Sequence, residues 1–315
     1  MKNRITLPLL IILLFSFAEI HARSIQHVRT IRFHDNSAKK KSVNSLIFGR
    51  KKTKAVKPCA ICRVDADLLC VTDAVNGTII FSDTKGNIKK RITHIKGIKI
   101  ISPVSACMDE KGNLYIADST QGGIIRFDRN LNFQDIFVAS NQWRITGIVF
   151  VKGFFYCVDT RNHQVLCFDQ PGQLRFSFGK RGSGEGEFNF PTHIAADGDY
   201  LYVTDAMNFR VQIFDHKGQF VRAFGSHGRG GGHFSKPKGI AVSRKKHVFV
   251  ADAMFDNIQV FNLKGDFLSY FGGPGQQDGQ FWMPSGIMVD RDDTIWLADT
   301  FNRRIQVFRL VEDGK

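Results

Sequence analysis

The fold is decided by four short apolar segments at residues 191–225, which read PTHIAADGDYLYVTDAMNFRVQIFDHKGQFVRAFG. These segments are rich in Val, Ile and Phe, and Gly, Asp and Asn residues separate them. Short segments broken by turn-forming residues are typical of half-buried antiparallel strands. The stretch therefore predicts one four-stranded sheet, and we call its strands a, b, c and d in chain order.

The aspartate that ends segment b recurs along the chain. It follows a short apolar run at six positions, Asp73, Asp118, Asp159, Asp205, Asp252 and Asp299. The spacings are 45, 41, 46, 47 and 47 residues. A period in the forties with four strands per unit is typical of propeller blades, because one unit cannot bury its sheet face without a neighbour. The sequence predicts an all-β fold, a six-bladed β-propeller of four-stranded antiparallel blades.

The two ends of the chain support this count of blades. Only seven residues follow strand c of the sixth unit at 304–308, which leaves no room for a strand d. Residues 45–49, SLIFG, have the form of the d-strand ends at 223–225 and 270–272. We expect residues 42–48 to close the ring as the outer strand of blade six, since an unpaired edge invites aggregation. The propeller would then span residues 42–312.

The first residues have the pattern of an export signal. Lys2 and Arg4 precede an apolar run from Leu7 to Phe17, with small residues near its end. Such a run is too short to cross a bilayer, which takes roughly 20 apolar residues. The sequence predicts a signal peptide at residues 1–22, no transmembrane segment after its cleavage, and an extracytoplasmic protein, periplasmic or secreted.

The positive charge is concentrated near the start of the chain. The net charge is +15, of which +10 falls in residues 23–57 and +1 in residues 1–22. The propeller itself is nearly neutral, and residues 23–41 are expected to form a basic leader. Such a leader either binds an anionic envelope polymer or is a solvated segment. Because export is predicted, nucleic acid is the least favoured partner.

The connections between blades carry a resemblance to a known family. Residues 178–191 run from Phe-Gly through a glycine-rich loop to Phe and Pro, and 224–237 and 271–284 repeat this pattern. With the b–c turn at 205–212, DAMNFRVQ, these connections resemble the NHL repeat. The resemblance covers about residues 45–310 and is strongest in the last three blades. It implies a six-bladed propeller of a family that mostly provides scaffolds or recognition domains for proteins, with some cytoplasmic members that bind RNA.

Strand order predicts where a ligand binds. The b–c turns and d–a connections lie on one face, the loop-rich face, and the a–b and c–d turns lie on the other, the turn face. The repeated Asp, Asn and Arg residues are predicted to have structural roles, because they recur in most blades. Apolar and cationic residues on the loop-rich face depart from solvated-turn chemistry. The candidate ligand-binding residues are Arg161, His163, His193, Met207, Phe209, Arg210, Met254, Phe255, Trp282, Phe301 and Arg303.

These residues favour a binding or scaffold module, without a cofactor, for a protein or a small ligand. The alternative for the aromatic residues is that they tuck beneath the glycine-rich loops. The alternative function is an extracytoplasmic metal-dependent lyase or lactonase with its site in the central channel. A peptide-amidating lyase is similar in fold and, as that resemblance implies, binds zinc through histidines just after the proline. The residues after the five repeat prolines are Cys59, Val104, Thr192, Lys238 and Ser285, none of them histidine.

The six cysteines allow several arrangements. An even number in an exported protein permits disulfides. Cys157 on strand b and Cys167 on strand c are nearly equidistant from the turn at Asn162, which predicts a disulfide between them. The alternatives are thiols that act as small buried hydrophobes, or a zinc site. The residues that would form a zinc site are Cys59, Cys62, Cys70 and Cys107.

Overall fold

The structure, a computed structural model, describes residues 25–34 and 55–311. The fold within these ranges is all β, and six four-stranded antiparallel sheets form a six-bladed propeller. This confirms the predicted fold class. The predicted signal peptide at residues 1–22 lies outside the described residues.

The first three blades each use four consecutive strands. The strands of blade one are β2 (Ala60–Arg63), β3 (Leu68–Asp73), β4 (Thr78–Asp83) and β5 (Ile88–Ile92). The strands of blade two are β8 (Pro103–Met108), β9 (Leu114–Asp118), β10 (Gly123–Phe127) and β11 (Phe133–Ala139). The strands of blade three are β12 (Ile145–Val151), β13 (Phe154–Asp159), β14 (Gln164–Asp169) and β15 (Leu174–Phe178).

The last three blades include one that draws on both ends of the chain. The strands of blade four are β16 (Pro191–Ala196), β17 (Leu201–Asp205), β18 (Arg210–Phe214) and β19 (Phe220–Phe224). The strands of blade five are β22 (Pro237–Val242), β23 (His247–Asp252), β24 (Asn257–Asn262) and β25 (Phe267–Gly272). The strands of blade six are β26 (Pro284–Val289), β27 (Thr294–Asp299), β28 (Arg304–Leu310) and β1 (Ile25–Arg32).

Short elements lie in the connections. β6 (His94–Ile95) and β7 (Ile98–Lys99) form a hairpin between blades one and two. β20 (Ser226–His227) and β21 (His233–Phe234) pair in parallel between blades four and five. A single 3-10 turn at Ala206–Asn208 forms the b–c turn of blade four. The two strand pairs lie outside the sheets of the six blades, whereas the 3-10 turn belongs to blade four.

An N-terminal strand closes the ring, although it is not the predicted one. β1 pairs antiparallel with β28, from Ile25 opposite Leu310 to Arg32 opposite Arg304. The prediction that residues 42–48 provide this strand is wrong, since residues 25–32 occupy the position; residues 42–48 themselves lie outside the described residues. The basic leader predicted at 23–41 is likewise corrected, because its first part belongs to blade six.

Packing explains why a basic segment forms this strand. Ile31 is buried in the core shared by blades six and one. The His27 ring packs edge-on against Phe308 with 5.3 Å between centroids. The Arg29 guanidinium lies over the Trp296 ring at 5.4 Å. This cation–π contact stabilises the pairing of the basic strand with blade six.

The core is built between blades. The a strands neighbour one another around the axis, and β26 of blade six lies beside β2 of blade one. Each buried cluster joins two adjacent blades; in one of them Tyr156 and Cys167 of blade three pack with Leu201 and Val203 of blade four. Because each sheet buries its face only against a neighbour, stability depends on a closed ring.

In the glycine-rich connections, the glycine that follows strand d packs against a phenylalanine ring. Gly179 and Gly272 adopt φ of 92° and 89°, a conformation that L side chains rarely adopt. A Cβ atom on Gly272 would lie 2.1 Å from the Phe281 ring, and one on Gly179 would lie 2.5 Å from Phe188. These phenylalanines are fully buried. The Phe-Gly to Phe pattern therefore anchors the three glycine-rich d–a connections on their blades.

Candidate functional site

The aspartate at the end of each strand b is buried and ties the loop-rich face together. Asp299 accepts the backbone N–H of Trp282 at 2.8 Å, from the connection that precedes its blade. It also accepts the Arg304 guanidinium at 2.8 Å and the Gln306 amide at 2.9 Å. Its Asn302 neighbour donates to the same carboxylate. One carboxylate thus joins the b–c turn, strand c and the d–a connection.

Blade four repeats this arrangement. Asp205 accepts the Asn189 N–H at 2.7 Å, the Asn208 amide at 2.8 Å and the Arg210 guanidinium at 2.9 Å. Burial raises the pKa of Asp205, and these donors counteract it. The structural role predicted for the repeated Asp, Asn and Arg is confirmed. Arg210, a candidate ligand-binding residue, belongs to this support, since it also donates to the Glu187 carbonyl.

Each b–c turn ends in a left-handed residue four positions after the aspartate. These six residues have φ between 52° and 60° and are Gly77, Gly122, His163, Phe209, Asp256 and Arg303. A non-glycine residue in this conformation costs roughly 1 kcal/mol. Three of the four side chains hold the adjoining connection. Arg303, the fourth, is exposed, and its side chain makes no hydrogen bond or ion pair with a described residue.

The contacts of those three side chains are specific. The His163 ring is buried and its Nδ1 accepts the Phe190 N–H at 3.1 Å. The Asp256 carboxylate accepts the Met283 N–H at 2.7 Å. The Phe209 ring packs on His227 with 4.5 Å between centroids. His163 and Phe209 were candidate ligand contacts, and the structure instead places their side chains against the connections that they anchor.

Apolar tips cover part of the loop-rich face. Met207, Met254 and Phe301 each lie two residues after the blade aspartate, and they are 54, 57 and 42% exposed. Trp282 is 47% exposed and packs on Phe301 with 5.5 Å between ring centroids. Phe255 is half-buried. Large exposed apolar side chains that recur at one repeat position on one face indicate a contact surface.

Cationic side chains accompany the tips. The Lys57 ammonium of blade one lies over the Phe301 ring at 5.3 Å. Arg161 occupies in blade three the position of the apolar tips and donates to the Asn141 carbonyl at 2.6 Å. Lys236 is exposed beside Pro237. The same turn position is held by Thr120 in blade two and by Val75 in blade one, and Val75 is 60% exposed, so exposed apolar tips occur in blade one as well as in blades four to six.

His193 lies in the channel wall rather than on the surface. Both its ring nitrogens are shielded from solvent and have no hydrogen-bond partner among the described residues. Burial, together with the nearby Lys238 charge, lowers the pKa of His193 to about 4. At the equivalent position the other blades carry Ala60, Ser105, Gly147, Gly239 and Gly286. With both ring nitrogens shielded, His193 offers no exposed hydrogen-bonding group on the loop-rich face.

Lys238 lies nearer the mouth of the channel. It is half-buried and follows Pro237, where strand a of blade five begins. Burial lowers its pKa, and the Cys59 thiol raises it. The sequence analysis named Lys238 only because it is not the histidine that a zinc-binding lyase would need at this position. A comparison of the blades could have identified it, because the residues at the equivalent position in the other five blades are uncharged.

The predicted disulfide between Cys157 and Cys167 is wrong, and both cysteines are free. The β13–β14 register pairs Cys157 with Leu166 and Tyr156 with Cys167. This offset of one residue sends the two thiols to opposite faces of the sheet. Cys157 joins the core between blades two and three, and Cys167 joins the core between blades three and four.

The predicted zinc alternative also lacks a ligand cluster. Within residues 25–34 and 55–311, no group of three or more His, Cys, Asp or Glu side chains is placed to hold a metal ion. Cys62 and Cys70 are buried, and burial raises the pKa of Cys62 to about 12. Such thiols behave as small hydrophobic side chains.

Sequence reasoning missed an apolar cavity at the outer edge of the loop-rich face. The cavity measures about 250 Å³ and lies between the β6–β7 hairpin and the outer strands of blade two. Ile95, Ile98, Ile125, Phe133 and Ile136 line it. No periodic signal marks it, because the hairpin that covers it occurs only between these two blades among the described ranges.

No helix in the described part of the chain is both long enough and apolar enough to span a membrane.

Comparisons with known proteins agree with the propeller fold. The model of the family DUF5128, described as a 6-bladed beta-propeller, matches residues 194–258. A search of curated protein sequences found no match.

Solved structures resemble the chain in fold. A streptogramin B lyase is 13% identical with a TM-score of 0.61, covering 82% of this chain and 95% of its own. A catalytically inactive virginiamycin B lyase from Staphylococcus aureus, solved with quinupristin, is 14% identical with a TM-score of 0.60, covering 82% and 97%. An auxiliary nutrient binding protein from Bacteroides ovatus is 15% identical with a TM-score of 0.62, covering 82% and 70%. At these identities the likeness concerns the fold alone, and the same fold carries both binding and catalysis.

Proposed function

We propose that the chain is an exported binding module of the NHL-repeat type, which holds a ligand on the loop-rich face of its propeller. The observation that carries this proposal is the group of exposed apolar tips, Met207, Met254 and Phe301 with Trp282 beside them. Their turns are fixed from below by buried carboxylates, so the tips stand on a rigid base. A preorganised apolar surface loses little conformational entropy on binding.

The enzymatic alternative has no comparable observation in its favour. The aspartates nearest the channel mouth already accept hydrogen bonds from their own turns and connections. The similar structures include lyases and nutrient-binding proteins alike, so they do not favour catalysis over binding. We therefore retain binding as the proposed function.

Export is part of the proposal and rests on the basic and apolar start of the sequence. Attachment to an anionic envelope polymer is a separate proposal, and fewer basic residues are now available for it. Because Ile25–Arg32 is a blade strand, such attachment would depend on basic residues 39–41 and 50–52, which lie outside the described residues. Binding of this kind would weaken steeply with salt.

A capture experiment with matched variants tests the binding proposal. The immobilised mature chain is mixed with an extracytoplasmic extract, and bound material is identified by mass spectrometry. The first variant carries Met207→Ser, Met254→Ser and Phe301→Ser. The control carries Phe154→Ser and Leu174→Ser, two exposed apolar side chains near the turn face. The proposal predicts that a captured component is lost with the first variant and kept with the control; equal capture by both variants would contradict it.

A further inference from the structure

One charged side chain stands at a channel position that is otherwise uncharged. In the strand ladders, Lys238 corresponds to the residue just after the one that pairs with the blade aspartate. The equivalents in the other five blades are Cys59, Val104, Thr146, Thr192 and Ser285. Thr146 and Ser285 pair with hydroxyls of their own blades, Thr160 and Thr300. Blade five offers no such hydroxyl, since Ala253 takes that place.

Lys238 lies on the innermost strand of blade five, and side chains at the equivalent position contact the innermost strand of the next blade: the Ser285 hydroxyl donates to the Cys59 carbonyl, and the Cys59 thiol to the Val104 carbonyl at 4.0 Å. The Lys238 ammonium interacts with the Cys59 thiol of blade one. Blade six lies between blades five and one, so strand a residues of these two blades meet only across the axis. The Lys238 charge also acts on His193, in blade four on the other side. The ammonium therefore stands within the channel, between three blades.

Among the described residues this ammonium has no counter-ion. No salt bridge within the described ranges involves Lys238, and the other charged group that acts on it is Lys236, which repels it. The buried carboxylate of the same blade, Asp252, already accepts four backbone N–H groups, from Ser235, Lys236, Met254 and Phe255. A half-buried cation without an opposite charge is unfavourable unless a ligand supplies one.

The surroundings of the channel mouth add an apolar component. Met207, Met254 and Phe301 belong to the b–c turns of blades four, five and six. Lys238 lies within the same group of blades, just below the loop-rich face. Arg303 and Lys57 contribute further positive charge near Phe301.

We propose that the channel mouth binds the carboxylate of a small organic anion, with the oxyanion at Lys238 and an apolar body against the tips. This inference rests on the proposed binding function and specifies its ligand class. A small anion suits the site because Lys238 is half-buried and lies below the turns. One ammonium group matches a single negative charge, and His193 contributes none because it is neutral and shielded from solvent.

The test compares three probes by isothermal titration calorimetry on the mature chain. They are 3-phenylpropionate, its neutral analogue 3-phenylpropionamide, and inorganic phosphate. Lys238→Met removes the channel charge, and the matched control Lys236→Met removes an exposed charge two residues away. We expect 3-phenylpropionate to bind the native chain more tightly than the amide or phosphate. Lys238→Met is expected to weaken its binding roughly tenfold, the loss of one charge-assisted hydrogen bond.

The variants should also differ in stability. Lys238→Met removes an unpaired half-buried charge and is expected to raise Tm, whereas Lys236→Met should leave Tm unchanged. Equal weakening by both variants would overturn the inference, and so would equal affinity of the native chain for the acid and its amide. The latter comparison needs no variant, so the inference is testable even if Lys238→Met fails to fold. Absence of binding by all three probes also overturns it.

These outcomes are distinct from failure of the binding proposal itself. If the acid and the amide bind equally and Phe301→Ser weakens both, the apolar face binds a ligand and the anion site is wrong. If the capture experiment gives no difference between the tip variant and its control, the binding proposal is wrong, whatever the probes show.

Discussion

The two faces of the propeller use the same residue type for different tasks. On the turn face an aspartate such as Asp215 accepts the N–H groups of Lys217 and Gln219, which lie two and four residues later. On the loop-rich face Asp299 reaches back to Trp282 as well as to its own turn. Asp215 therefore serves a local turn, whereas Asp299 joins its own turn to the connection that precedes the blade. Loops fixed in this way can hold apolar tips in place for a partner.

The largest expected difference between the faces concerns stability. Asp299→Ala removes the buried carboxylate of Arg304 and leaves the guanidinium only the exposed Asp278 at 3.4 Å, which should cost roughly 3 kcal/mol of unfolding free energy. Asp215→Ala removes a local turn contact and should cost about 1 kcal/mol. Urea unfolding of both variants provides the measurement. Equal losses would show that the two kinds of aspartate have the same structural weight.

The second prediction concerns the channel wall beneath the loop-rich face. The pKa of His193 is about 4 in the folded chain against 6.5 for the ordinary group. The unfolded chain therefore binds a proton between these values that the folded chain does not, and stability should fall as pH drops from 6.5 towards 4. The full effect is roughly 3 kcal/mol, at about 1.4 kcal/mol per pKa unit.

His193→Gln should remove this component of the pH dependence. His94→Gln, at an exposed position outside the blades, is the control and should behave like the native chain. Urea midpoints at pH 7, 5.5 and 4 would decide the matter. If the pH profile is unchanged in His193→Gln, the pKa of the imidazole is the same in the folded and unfolded chains, which would contradict the prediction.

The smallest effect on stability is expected at the apolar tips. The exposed side chains of Met207, Met254 and Phe301 make few core contacts, so each change to serine should alter stability by less than about 0.5 kcal/mol. Thermal unfolding checks this against the Phe154→Ser and Leu174→Ser control. A large loss would show that the tips serve the fold rather than a partner.

Features that recur in several blades could be predicted from the sequence, whereas features that occur once, such as the closing strand, could not. The six aspartates and the Phe-Gly connections identified the blades, because every blade needs the same turn chemistry. The closing strand was misplaced, because residues 45–49 resemble other d strands by local pattern, whereas Ile25–Arg32 is selected by contacts with Phe308 and Trp296. Such contacts join opposite ends of the chain and leave no local signal.

The candidate site was predicted in part. Exposure of Met207, Met254, Trp282 and Phe301 agrees with the expectation from turn position. The burial of His163 and the inward position of His193 depend on how neighbouring connections fold over them. The Cys157–Cys167 pairing failed by a single residue of register, which a turn position alone does not fix.

Hydrogen–deuterium exchange of the mature chain, with and without a captured ligand, would show which face of the propeller holds the ligand. Binding on the loop-rich face should add protection in the b–c turns at 206–209, 253–256 and 300–303. The c–d turns at 215–219 and 262–266 should be unchanged. Protection confined to the turn face, or to the outer strands, would contradict binding on the loop-rich face.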